Sequence, residues 1–128
     1  MSNIRDLYMF KEGIWDWTEL NSCFAPTKIK VTDADGLVER RGHFLLLEGK
    51  KMDIEIPLGQ KILFEALSKV PKFTILMFWG NPPKDIRAFE SWGELPYPLT
   101  SCTIEEFKQF IKQWFKKANI IYVPEEIH

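Results

Sequence analysis

The segment from Thr32 to Lys50 constrains the fold of this chain more than any other. Two strand-forming stretches flank Arg41-Gly42, and the second, Phe44-Leu45-Leu46-Leu47, is apolar without a break until it stops at Glu48-Gly49-Lys50. That pattern predicts a β-hairpin turning at Arg41-Gly42. Side chains alternate along a strand, so Glu48 and Lys50 share one face, and Asp33 and Asp35 share a face on the first strand. Pairing across the turn brings that end of the first strand beside Glu48. Charged groups ending a buried strand are costly unless an ion or polar partners compensate them, so the convergence of acids with a lysine calls for a reason.

The remaining elements follow from periodicity and punctuation. Ile4, Leu7, Ile14, Trp15, Trp17, Leu20 and Phe24, interrupted by Gly13, predict a short N-terminal turn and a helix over about 14–22, ended by Ala25-Pro26. Lys28-Ile29-Lys30-Val31 reads as a short strand before the hairpin. Pro57 sets up a helix over about 57–70 whose apolar face is Ile62, Leu63, Ala66, Leu67 and Val70. Lys72 to Trp79 then reads as a central strand buried on both faces. The resulting order is α-β-β-β-α-β. Residues 80–100 hold Gly80, Pro82, Pro83, Gly93, Pro96 and Pro98, too many breaks for a long element, with a short strand at Ile86 to Trp92. Thr103-Ile104-Glu105-Glu106 is a capping box, opening a helix to about Ala118 lined by Phe107, Phe110, Ile111, Trp114 and Phe115. Ile120 to Val123 reads as a last strand.

Composition narrows the classes. A chain of 128 residues with 45% hydrophobic and 27% charged residues is that of one ordinary globular domain with a real core. No stretch reaches the ~18–20 apolar residues that span a bilayer, and no secretory leader pattern opens the sequence, so a cytoplasmic location without membrane contact is expected. In that setting Cys23 and Cys102 read as reduced thiols of the core. A net charge of −1 gives no global signature of nucleic-acid binding, so any such contact must be local. A calcium loop starting at Asp33 fails because Phe44 stands where a bidentate Glu is required, and a phosphate loop at Gly49-Lys50 fails because Phe44 and Lys51 stand in place of Gly and Ser or Thr.

The acid and lysine cluster resembles the active site of the PD-(D/E)XK, or restriction-endonuclease-like, phosphodiesterase superfamily. There an Asp at the start of one strand and a (D/E)-X-K on the next hold a divalent ion and activate water. Asp35, or Asp33, and Glu48-Gly49-Lys50 stand at the matching positions. Gln60-Lys61-Ile62-Leu63-Phe64 resembles the Q-x-x-x-aromatic element of the RecB-like branch, and the small size resembles that of phage-encoded proteins. No Pro precedes either Asp, which leaves open which of them is the ligand. The resemblance implies an α/β fold: a restriction-endonuclease-like αβββαβ core with a mixed central sheet and an additional C-terminal helix, in one domain. It implies a nuclease dependent on Mg²⁺ or Mn²⁺ that hydrolyses phosphodiesters in DNA, with a homo-oligomer left open.

In that reading Asp35 and Glu48 are the metal ligands, with Asp33 beside them. Lys50 orients or deprotonates the attacking water or offsets phosphate charge, and Gln60 positions the water or the Lys50 ammonium. Glu19, or failing that Asp16, on the first helix would complete a second metal site. His43 is expected at the turn facing solvent, and the five tryptophans in the core, with Trp92 the exception that could stack on a base. Lys108, Lys112, Lys116 and Lys117, with Arg40, Arg41 and Lys51 elsewhere, form a phosphate track only if they border the cleft. Two rival functions remain: a nuclease-like module that binds nucleic acid or a host protein without cleaving, and an adaptor using the Trp- and Pro-rich residues 79–98. The intact Asp35, Glu48 and Lys50 favour the enzyme, since a binding module has no need of them.

Overall fold

The computed structural model describes residues 15–121, and the chain divides into two compact units between Asp33 and Ala34. In the N-terminal unit a single helical turn, α1 (Thr18–Asn21), runs into a 3₁₀ turn at Ser22–Phe24. The expected helix is thus shorter, and Ile4, Leu7, Gly13 and Ile14 lie outside the described residues. Lys28 to Val31 form no strand. Ile29 is 60% exposed, and the Val31 amide donates to Asn21 Oδ1 at 2.8 Å, so this stretch has a side-chain partner where a strand would need a ladder.

The second unit is an α/β sandwich around a five-stranded mixed sheet. Its strands are β1 (Gly36–Arg40), β2 (His43–Lys51), β3 (Phe73–Asn81), β4 (Asp85–Gly93) and β5 (Tyr97–Ser101), lying side by side in chain order. The β2/β3 pair is parallel and the other three pairs are antiparallel. Helix α2 (Leu58–Ser68) makes the crossover that a parallel pair requires, and α3 (Ile104–Ala118) follows β5. The β1–β2 hairpin turns where expected. Arg41 and Gly42 have φ of 52° and 79°, the paired positive values of a type I′ turn, and the Gly42 amide donates to Glu39 Oε2 at 2.8 Å.

Both faces of the central strands are covered, which is why β2 and β3 are apolar without alternation. On one face Leu45, Leu76 and Phe89 pack with Phe107, Phe110, Trp114 and Ala118 of α3; on the other Leu46, Ile75 and Met77 pack with Phe64 of α2. The capping box forms as predicted: Thr103 Oγ1 accepts from the Glu106 amide at 3.2 Å and Glu106 Oε1 from the Thr103 amide at 3.0 Å.

Several elements differ from expectation. The inward face of α2 is Gln60, Leu63, Phe64 and Leu67, at i, i+3, i+4 and i+7, while Ile62 is 59% exposed and Val70 is also exposed. Phe115 does not join the α3 face; it lies half in solvent beneath the Arg40 guanidinium, 5.8 Å from the ring centroid. Residues 80–100 are more regular than their prolines imply. Pro82 and Pro83 occupy the β3–β4 turn, and Pro98 is tolerated because β5 is an edge strand. Ile120 and Ile121 follow α3 without strand structure, and Tyr122 and Val123 lie outside the described residues.

Candidate active site

The site is built at the C-terminal end of β2. The β1/β2 register pairs Gly36 with Leu47, so Asp35, one residue ahead of β1, comes opposite Glu48. Leu46 and Glu48 point to the α2 side, and the strand period carries Lys50 to that side as well. Glu48 is only 3% exposed. A carboxylate this buried needs donors, and three surround it. The Asp35 amide donates to Glu48 Oε2 at 3.3 Å, Gln60 Nε2 donates to Oε1 at 3.3 Å, and Lys50 Nζ lies 3.5 Å from Oε1. Gln60 reaches Glu48 from the first turn of α2, which the β2 to β3 crossover sets over this face.

Asp35 is tied to the same strand by a reciprocal contact. Its Oδ2 accepts from the Gly49 amide at 2.9 Å, so Asp35 and the Glu48-Gly49 segment hold each other through main-chain donors. The middle residue of Glu48-Gly49-Lys50 has its own reason to be glycine. A Cβ at Gly49 would lie 2.7 Å from the Phe78 ring, which packs against the β2 backbone there. Beside this point opens a cavity of about 210 Å³ bordered by Asp35, Lys50, Phe78 and the β3–β4 turn.

Asp35, Glu48, Lys50 and Gln60 are therefore brought together as the sequence predicted. Asp33 and Glu19 belong to the N-terminal unit. There Asp33 Oδ1 accepts from Trp17 Nε1 at 2.8 Å rather than facing along a strand, and Glu19 is exposed on α1. Asp16 is engaged by the Thr18 hydroxyl and amide, hydrogen bonds that hold its carboxyl below the usual range. Among the described residues no group of three or more His, Cys, Asp and Glu side chains is placed to hold a metal.

Other candidates are accounted for structurally. His43 does not face solvent: it is half-buried, with Nδ1 3.0 Å from Glu94 Oε2, and Lys117 Nζ approaches Glu94 Oε1 at 3.9 Å. Trp92 packs at the edge of the α2 core rather than standing in a loop, and Trp79 Nε1 donates to the Ile54 carbonyl at 2.9 Å. Cys23 is exposed rather than a core thiol, and both cysteines are free. Burial, then the neighbouring Glu106 carboxylate, pushes the Cys102 thiol up. The β3–β4 turn was the missed contributor. Gly80-Asn81-Pro82-Pro83-Lys84-Asp85, whose glycine and prolines predict an interruption, marks a hairpin between two nine-residue strands.

Asp35 and Glu48 supply oxygen donors of the kind a hard divalent cation takes. Asp35 and Glu48 offer two carboxylates against one ammonium, which leaves an excess of negative charge. Mg²⁺ sites of this kind commonly use one or two carboxylates and leave the remaining positions to water and phosphate. Gln60 Oε1 is buried without a hydrogen-bond partner, an acceptor suited to a water molecule in the same place. No protein-family model, curated protein or solved structure matches this chain.

Proposed function

We propose that this chain is a divalent-metal-dependent nuclease that hydrolyses phosphodiester bonds in DNA, with a restriction-endonuclease-like site. The observation that carries the reading is the convergence on buried Glu48 of Asp35 from ahead of β1, Gln60 from α2 and Lys50 from Glu48's own strand. Here a carboxylate is buried 3.5 Å from a lysine whose side chain is itself only 16% exposed and which borders a cavity. A buried pair of this kind stabilises a fold poorly compared with apolar packing, so its presence calls for another reason.

Asp35 and Glu48 would hold Mg²⁺ or Mn²⁺, which when bound supplies charge neutralisation and an activated water. Lys50 is fixed by Glu48 and presents its ammonium where it can orient the nucleophile or offset charge growing on a phosphate. Gln60 donates to Glu48 and so fixes the carboxylate rotamer, while its free Oε1 can accept from the attacking water. The Asp35–Gly49 contact keeps the two acids in register without using a side-chain donor.

The test is cleavage of single-stranded, duplex and branched DNA with Mg²⁺ or Mn²⁺, alongside Mn²⁺-dependent thermal stabilisation. Wild type is expected to cleave at least one form and to gain melting temperature with Mn²⁺ by mass action. Glu48→Ala is expected to lose both. Absence of cleavage on every form, with equal Mn²⁺ response in the two proteins, would replace the enzyme by a binding module.

A further inference from the structure

We propose that the two adjoining cavities at the β3–β4 turn hold a single unpaired nucleic-acid strand next to the point of cleavage, with one base lodged against Phe78. The proposal deepens the nuclease reading and rests on it. The first cavity is bordered by Asp35 and Lys50 of the candidate site but not by Glu48 or Gln60, which lie on the α2 face while Phe78 and Ile86 belong to the α3 face. A phosphate engaged by Asp35 and Lys50 at the strand ends would set its neighbouring nucleoside at this opening. One side of it is apolar, formed by the Phe78 ring, Ile86 and the Pro82-Pro83 turn, while Asp35, Lys50, Lys84 and Asp85 border the rest. At about 210 Å³ it is smaller than the ~300–1,000 Å³ that encloses a drug-sized ligand, which suits one flat ring and not a base pair. Gly49 matters here a second time, because its missing Cβ lets the Phe78 ring lie against β2 and form this wall.

The second cavity, about 470 Å³, continues from the first and shares Lys84, Asp85 and Ile86 with it. Its lining adds Arg87 and Lys108, so it holds three cations and one acid, Asp85, whose carboxyl is held low by Asn81 and then by Arg87. Arg87 pairs with Asp85 at 3.1 Å and Lys108 with Glu105 at 3.9 Å, which leaves a smaller positive excess centred on Lys84. That excess of positive charge complements a phosphate backbone, whereas the site itself has an excess of negative charge. A path from acids to apolar pocket to cations matches the order of metal-bound phosphate, base and following phosphates along one strand. In a duplex the base is stacked and paired and cannot enter, so the occupant is single-stranded or frayed DNA.

The experiment measures fluorescence anisotropy of a labelled thymidine oligonucleotide, the same oligomer with abasic residues, and a closed duplex hairpin, all in Ca²⁺. The single strand is expected to bind about tenfold or more tightly than either of the other two, the size of effect that loss of one stacked base produces. Lys84→Glu and Arg87→Glu are expected to weaken binding and lower the salt slope by about one each, while Lys112→Glu on the outer face of α3 does neither. Equal binding of the abasic oligomer, preference for the hairpin, no binding at all, or equal effects of Lys84→Glu and Lys112→Glu would each overturn the proposal. Base-dependent binding without cleavage in Mg²⁺ or Mn²⁺ would keep the strand site and remove the nuclease; cleavage with base-independent binding would do the reverse.

Discussion

Glu48 and Lys50 divide the work of the candidate site at the scale of single residues. Glu48 is buried among donors, so removing Lys50 still leaves it the Asp35 amide and Gln60 Nε2. Lys50→Ala is therefore expected to leave Mn²⁺ affinity unchanged or slightly higher, since a positive charge leaves the cation's neighbourhood, while cleavage falls about 10²-fold or more. Calorimetry and single-turnover kinetics on the same protein check the two halves, and a rate within threefold of wild type would take Lys50 out of the mechanism. Gly49 answers to packing instead. Gly49→Ala puts a methyl 2.7 Å from the Phe78 ring, and because that ring packs on α3 through Phe107, 5.2 Å away between centroids, it has little freedom to give way. Overpacking of this kind costs about 1–3 kcal/mol, measurable by denaturant titration. The acid–lysine cluster was legible in the sequence because strand alternation and hairpin register are local rules. The identity of the middle residue was not, because the atom it avoids is on β3, far away in the chain.

At the scale of elements, legibility followed how many faces each element buries. β2 and β3 are covered on both sides, so their continuous apolar runs announced them. α2 is covered on one side, and exposed Ile62, with Val70 just beyond the helix end, extends a second apolar set: two periodic sets overlap, and only contact with the sheet selects between them. The lone aromatic decides the energetics. Phe64 is 1% exposed, so Phe64→Ala is expected to cost about 3–5 kcal/mol, while Ile62→Ala stays within about 0.5 kcal/mol. Chemical denaturation of the two variants separates the faces, and comparable losses would restore the apolar face first expected. β5 was hidden because Pro98 argues against a strand, an argument that holds for central strands and lapses at a sheet edge. Lys28 to Val31 erred in the other direction: strand-forming residues without a neighbour to pair with do not make a strand.

For the whole molecule, the α/β class and the mixed sheet were legible, and the αβββαβ order was not: two strands rather than three precede α2, and two more follow β3. A parallel β2/β3 pair joined by one helix is what a hairpin, a helix and a second apolar strand dictate, but the number of strands added beyond β3 depends on turns whose prolines signal breaks and hairpins alike. Both core clusters, all five strands, and the Asp35, Glu48, Lys50 and Gln60 cluster belong to the unit that begins at Ala34. The fragment Ala34–His128 is accordingly expected to unfold in one cooperative transition and to keep the melting-temperature gain that Mn²⁺ gives the full chain. Calorimetric scans of the fragment and the full chain, each with and without Mn²⁺, make the comparison. A fragment that fails to fold would show that the sheet depends on the N-terminal residues. A fragment that folds but loses the Mn²⁺ gain would overturn Asp35 and Glu48 as a sufficient pair. Retention of the full gain leaves Asp35 and Glu48 as the sufficient pair, in keeping with a hard cation that takes most of its ligands from water and phosphate.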